Sequence, residues 1–124
     1  KEYRRQRQMC IRDRPEGEQI LHGDLSWHNM LRGEDGKLYL LDPAGYRGMQ
    51  EWDIACLALY HGPSPEREQS KQLLERYCGL LGADLELARQ YCQVRSAFSL
   101  ARSVRREELG KIEQTIEDYR YWAS

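Results

Sequence analysis

From Glu51 to Tyr60 the chain reads Glu-Trp-Asp-Ile-Ala-Cys-Leu-Ala-Leu-Tyr, and Trp52, Ile54, Ala55, Leu57, Ala58 and Leu59 fall on nearly every side of a helical wheel. A helix that is apolar most of the way round has to be covered on most of its surface. The rest of a short chain must therefore wrap it. After it, helical periodicity runs to the end. Ser64-Pro65-Glu66 is a start signal, with a capping hydroxyl, Pro in the first helical position and acid at the positive end of the dipole. Leu73, Leu74, Tyr77, Cys78 and Leu81 follow at helical spacing, and Gly82 can end that helix. Asp84 can cap the next, in which Ala88, Tyr91, Cys92, Phe98, Ala101 and Val104 keep the period to about Gly110. Ile112, Ile116, Tyr119 and Trp122 mark a last helix.

Ahead of the helices the pattern differs. Gln19-Ile-Leu-His22 is a short apolar run that reads as a strand entering a loop at Gly23. Met30–Arg32 and Lys37–Leu41 flank Gly33-Glu-Asp-Gly36 and read as a β-hairpin. Pro43 to Gly48 is rich in Gly and Pro and reads as loop. The expected fold is α+β, mainly α: a short hairpin and about four helices. A two-stranded hairpin is marginal alone, so it should rest on the helices or on a part of the protein upstream.

With 124 residues the chain is one domain. No run approaches the eighteen apolar residues of a membrane span, and nothing reads as a secretory leader, so a cytoplasmic protein without a membrane partner is expected. Cys56, Cys78 and Cys92 lie in apolar helical contexts with no C-x-x-C pair, which favours small buried side chains over disulfides or zinc. The net charge of -1 is unevenly placed. Residues 1–14 hold six basic and two acidic residues; the other 110 hold thirteen basic and eighteen acidic, a net of -5. That body has no basic footprint for nucleic acid. Residues 4–13 resemble one translated frame of a transposase sequencing adapter, so 1–14 are expected to be non-native and 15–124 the domain; the other reading of this head is a genuine basic arm for RNA or an anionic surface.

The residues with chemical potential lie between His22 and Asp53. An Asp and an Asn five apart in one loop, Asp24 and Asn29, suit work around a phosphate: the carboxylate accepts from an attacking hydroxyl and the amide oxygen binds Mg²⁺. Asp42 leaves the apolar strand Leu38-Tyr-Leu-Leu41 at a Gly/Pro loop, where a hard cation can reach it. Asp53, at the start of the apolar helix, can accept backbone N–H bonds or hold a neighbouring loop. Singly, each is an ordinary turn or cap residue. Together, with thirteen residues from Asn29 to Asp42 and eleven more to Asp53, they form a specific pattern.

That pattern, His22-Gly-Asp-x-x-x-x-Asn29 with Leu41-Asp42, resembles the catalytic and metal-binding motifs of the aminoglycoside phosphotransferase family. Asp42-Pro-Ala-x-Tyr-x-Gly-x-x-Glu-x-Asp53-x-Ala is most similar to fructosamine and ketosamine kinases. The resemblance covers residues 20–60 and implies the C-terminal lobe of a protein-kinase-like fold, with the N-terminal lobe missing. It implies a phosphotransferase that moves the γ-phosphate of ATP (or GTP) to a hydroxyl of a small molecule: an aminoglycoside, a ketosamine, or a similar sugar or amino alcohol. By resemblance Asp24 would be the catalytic base, Asn29 and Asp42 would hold Mg²⁺ and the nucleotide, His22 would bond backbone near Asp42, and Asp53 would brace the catalytic loop. His28 departs from the Gly common in relatives. No Gly-rich loop or phosphate-binding Lys precedes His22. Gly23 and Pro43-Ala44 replace the Arg and Phe-Gly of a protein kinase. Two other readings compete: a pseudokinase-type binding module and an inactive truncated fragment. Trp27, Tyr46 and Glu51 are the nearest candidates for acceptor contact. Tyr60-His61-Gly62 reads as a helix end, and Arg102, Arg105 and Arg106 as a solvated face.

Overall fold

The computed structural model describes residues 18–124, so the segment read as adapter-derived lies outside the described residues. Four short strands precede four helices: β1 Glu18–Ile20, β2 Met30–Arg32, β3 Leu38–Leu40, β4 Arg47–Met49, then α1 Gln50–Leu59, α2 Arg67–Leu81, α3 Leu85–Arg105 and α4 Leu109–Ala123. The architecture is α+β and mainly α, as the periodicities imply.

The expected hairpin is present, with Met30 opposite Leu40 and Arg32 opposite Leu38 in an antiparallel ladder. Its turn is closed by Gly36 N–H donating to the Gly33 carbonyl at 2.9 Å. The segment read as a continuous loop is different. Arg47–Met49 pairs antiparallel with β1, Ile20 facing Arg47 and Glu18 facing Met49. A Gly-containing three-residue strand carries too little apolar periodicity to be read locally; its partner defines it. Leu21 N–H extends this ladder to the Tyr46 carbonyl at 2.7 Å and is itself buried. β4 runs straight into α1, so the second ladder is anchored to the helices. The β2–β3 hairpin is not: every residue of β3 is exposed, as is Leu31.

The core is built on α1. Ile54, Ala55 and Ala58 bury against Leu74 and Cys78 of α2, Ala88 and Cys92 of α3, and Trp122 of α4. Five of those eight side chains are Ala or Cys, small enough to let the helix axes approach closely. Trp122 fills the larger gap left at the far end, edge-on to Tyr121 at 5.1 Å. Arg67, at the start of α2, ties that end to α4 through Asp118 at 2.6 Å and Glu117 at 3.1 Å.

Several helix boundaries shift for local reasons. α2 starts at Arg67 with Glu66 as N-cap, two residues past the expected start, so Ser64 does not cap it. Gly82 ends it in the left-handed conformation at φ 61°. Asp84 caps α3 as expected, accepting from Leu87 N–H at 3.1 Å. α3 stops at Arg105, where Glu107 takes φ 55°, and Gly110 lies inside α4. The buried face of α3 is Ala88, Cys92, Ser96 and Ser103, while Phe98 and Val104 are exposed. Ser96 can be buried because its hydroxyl donates to the Cys92 carbonyl at 2.9 Å.

Cys56, Cys78 and Cys92 are free and buried. Burial pushes the Cys56 thiol up to about 11, and the Cys78 and Cys92 thiols rise for the same reason. At neutral pH all three should resist a thiol-specific aromatic disulfide until the chain unfolds. The linkage also has a sign. Between pH 9 and about 11 the unfolded Cys56 thiol loses its proton before the folded one, so stability should fall as pH rises through that window. Melting curves recorded at pH 8 and pH 10 test it, and a higher melting temperature at pH 10 would contradict it.

Candidate active site

The loop from His22 to Asn29 lies between the two ladders and is fastened from three directions. From α1, the Asp53 carboxylate accepts His22 N–H on one oxygen and Gly23 N–H on the other, both at 2.9 Å. Asp53 sits in the first turn of α1 yet does not cap it; Met49 is the N-cap, with no side-chain cap bond. Trp52, the residue before it, donates its indole N–H to the Gly23 carbonyl at 3.1 Å. Both backbone polar groups of Gly23 are thereby used.

The second fastening is His22. Its Nε2 lies 2.7 Å from the Leu41 carbonyl, and Asp24 N–H donates to its Nδ1 at 3.2 Å. The neutral tautomer with hydrogen on Nε2 satisfies both bonds. The His22 carbonyl accepts from Ala44 N–H at 2.7 Å and Gly45 N–H at 3.2 Å. The ring and backbone of this one residue thus hold the loop to the segment around Asp42. The third fastening is Asn29, whose amide nitrogen donates to the Asp24 carbonyl at 2.8 Å and to Asp24 Oδ2 at 3.1 Å.

Gly23 has φ +87°, and a Cβ there would stand 2.5 Å from Tyr46 Cδ2 and 3.0 Å from Ala44 Cβ. Only glycine fits, for both backbone and space. Asp42 has φ 49°, a left-handed conformation that Asp tolerates better than most residues and that concentrates at functional sites.

The geometry leaves certain groups free. Asn29 spends its amide nitrogen on Asp24 and keeps its amide oxygen. The Asp42 carboxylate has no hydrogen-bond or ion-pair partner among the described residues. The two residues are adjoined because Leu41 N–H donates to the Asn29 carbonyl at 2.8 Å. One carboxylate and one amide oxygen suit Mg²⁺, which is commonly held by one or two carboxylates together with substrate phosphates. No cluster of three or more His, Cys, Asp or Glu with metal-site geometry occurs among the described residues.

Asp24 itself is half-exposed, and Arg95 of α3 stands 3.7 Å from its Oδ1. The Arg95 guanidinium lies over the rings of Trp52 and Tyr60, 5.3 Å from each centroid. Sequence reasoning missed Arg95. It also missed that Tyr60, which does end α1, and Arg102, which belongs to a charged run, border the same pocket. The available signal was Arg95, Ser99 and Arg102 at i, i+4 and i+7 on one helix face. Of the residues considered for acceptor contact, Trp27, Tyr46 and Glu51, none borders that pocket. Glu51 is buried and accepts Asp84 N–H at 2.9 Å, joining α1 to the start of α3.

Among known proteins, a family model described as fructosamine kinase matches residues 3–70, 68 of the 124 residues. The match begins inside the basic head, so the boundary at residue 14 rests on the adapter resemblance alone. No curated protein and no solved structure matches.

Replacing Asp53 with Ala should cost on the order of 1–3 kcal/mol, since two loop N–H groups lose their acceptor. Gly23→Ala should cost a similar amount through strain and the close approach of Tyr46. Denaturant titration of both variants measures this, and a midpoint unchanged in either would show that the fastening does not hold the loop.

Proposed function

The chain belongs to the fructosamine kinase family, and on that premise we propose that residues 18–60 form the catalytic and metal-binding half of a small-molecule kinase transferring the γ-phosphate of ATP (or GTP) to an acceptor hydroxyl. The supporting observation is the Asp24–Asn29 bond, which leaves a carboxylate open to solvent beside a free amide oxygen and the unpaired Asp42 carboxylate. Mg²⁺, when bound, neutralises and orients the transferring phosphates. The chain's own residues do the rest.

Asp24 accepts the hydrogen bond of the acceptor hydroxyl and takes its proton as that oxygen bonds to the γ-phosphorus and the bond from phosphorus to the bridging oxygen breaks, releasing ADP (or GDP). The Asn29 amide fixes the orientation of that carboxylate through Oδ2, leaving Oδ1 for the acceptor. Asn29 and Asp42 would hold the metal. His22 and Asp53 touch no substrate; they position the loop that carries Asp24. Having Asp24, Asn29 and Asp42 all in place favours an enzyme over a pseudokinase-type binding module. The Gly-rich cover and phosphate-binding Lys of the nucleotide site belong, on this reading, to a lobe encoded upstream of residue 15. The 124-residue chain alone should therefore bind Mg-ATP weakly, and a dissociation constant in the low micromolar range would overturn that part of the reading.

Extended by its upstream reading frame, the protein should lose roughly a hundredfold or more in phosphoryl transfer on Asp24→Asn, the scale of a positioned general base, with little change in stability. Asp42→Ala should abolish Mg²⁺-dependent nucleotide binding. Activity of Asp24→Asn within a few-fold of the parent would remove Asp24 from its role, and calorimetric titration with Mg-nucleotide decides the case of Asp42.

A further inference from the structure

A cavity of about 230 Å³ opens among the four helices, where the end of α1, the start of α2, the middle of α3 and the length of α4 come together. It shares Tyr60 and Ser99 with the smaller pocket beside Asp24, but Asp24 does not line it. The bond between the Tyr60 and Ser99 hydroxyls, at 3.1 Å, stands at that shared wall. An occupant of this cavity is a different ligand from the acceptor that meets Asp24.

Ser70 of α2 distinguishes the cavity from a packing gap. It is only 3% exposed and lines the cavity, yet its hydroxyl has no hydrogen-bond partner among the described residues. Hydroxyls shielded inside a helical bundle usually find one, as Ser96 and Thr115 do by donating to the Cys92 and Lys111 carbonyls, each at 2.9 Å. Those bonds use the hydroxyl hydrogens and leave both oxygens, which also line the cavity, able to accept. The Tyr60–Ser99 pair spends one hydrogen between two hydroxyls, so one O–H is left to donate. Gln114 adds a side-chain amide with no partner among the described residues. The charged groups of the lining are already balanced. Arg67 is held by Asp118 at 2.6 Å and by Glu117 at 3.1 Å, and Lys111 by Glu108 at 3.3 Å.

We propose that this cavity binds a neutral polyhydroxylated ring of monosaccharide size, held by Ser70, Gln114 and the Tyr60–Ser99 pair, at a site separate from Asp24. What the lining leaves unused is uncharged, with donors and acceptors mixed beside the apolar surfaces of Leu59, Pro65 and Trp122. An ion finds no spare counter-charge there, and a hydrocarbon strands the Ser70 hydroxyl. A ring bearing several hydroxyls meets both conditions, since each hydroxyl donates and accepts while the ring carbons cover the apolar wall. The volume is below that of a drug-sized ligand and suits a single ring. The site stands on its own residues, whether or not Asp24 is the base of a phosphoryl transfer.

The test is an NMR titration of the 124-residue chain with glucose and myo-inositol, beside cyclohexanol, glucuronate and glucosamine, which lack the hydroxyls or add a charge. At least one neutral polyol should saturate and bind about fivefold or more tightly than each of the other three, the scale of one neutral hydrogen bond. The shifted amides should centre on Ser70, Gln114 and Trp122 rather than on Asp24 and His28. Ser70→Ala and Gln114→Ala should each weaken the binding about fivefold, and Asp24→Asn should leave it unchanged. Gln114 is exposed, so its variant keeps the fold and decides the matter if Ser70→Ala fails to fold by its melting curve. The proposal is overturned if neither polyol saturates, or if cyclohexanol or a charged analogue binds as tightly. It is overturned equally if the shifts centre on Asp24, if Asp24→Asn weakens binding, or if a folded Ser70 or Gln114 variant keeps the parent affinity.

Discussion

The Asp53 carboxylate, shared between the N–H groups of His22 and Gly23, is the contact on which the site depends. It is a bond between two different kinds of structure. One is a helix locked in place by burial of Ile54, Ala55 and Ala58; the other is a loop whose regular structure is a single 3-10 turn, Trp27–Asn29. Loop backbone that leaves water must find acceptors, and a carboxylate offering both oxygens to consecutive amides satisfies two at once. The rigidity of the core is passed to Asp24 by this route. Trp52 adds the complementary bond to the Gly23 carbonyl, so adjacent residues of one helical turn grip both sides of a single glycine.

From that grip the remaining geometry follows in order. Gly23 at positive φ turns the chain closely under Tyr46, which brings Asp24 out beside the His22 ring. His22 then spans to Leu41 and, through its carbonyl, to Ala44 and Gly45. The His22–Asn29 loop and the Asp42 segment, about twenty residues apart in sequence, become one unit. Asn29 closes it by committing its amide nitrogen to Asp24. The consequence is a division of labour among polar groups: the bonds made by Asp53, Trp52, His22 and Asn29 hold position, and Asp24 Oδ1, the Asn29 amide oxygen and the Asp42 carboxylate accept no hydrogen bond among the described residues. On the proposed reading, those are the groups that phosphoryl transfer uses.

α3 makes a contribution of another kind. Its buried face is built from Ala, Cys and Ser, which lets it lie close to α1 and places Arg95 against Trp52 and Tyr60. The same Trp52 that holds Gly23 therefore also holds Arg95, and one side chain couples the orientation of the loop to the charge beside it. The β2–β3 hairpin stands apart, with Leu31, Leu38, Tyr39 and Leu40 exposed, and contributes to the site chiefly through Asn29 and Asp42 at its base.

The sequence by itself determined what depends on near neighbours along the chain. Hydrophobic period, the Gly33–Gly36 turn, the Asp84 cap and the Gly82 stop are local matters, and so the hairpin, the four helices and the buried character of α1 were legible. The spacing of His22, Asp24, Asn29, Asp42 and Asp53 was legible too, because a motif is itself a short-range pattern. Tertiary structure decided the rest. β4 exists because β1 lies beside it, not because Arg47-Gly-Met49 favours a strand. Ser96 is buried and Phe98 exposed because the packing of α3 on α1, not side-chain polarity, chose the inner face. Arg95 reaches Asp24 across seventy-one residues of sequence, a distance over which no periodicity carries information. Its environment is set by two aromatic rings from another helix, and only the packed core brings them together.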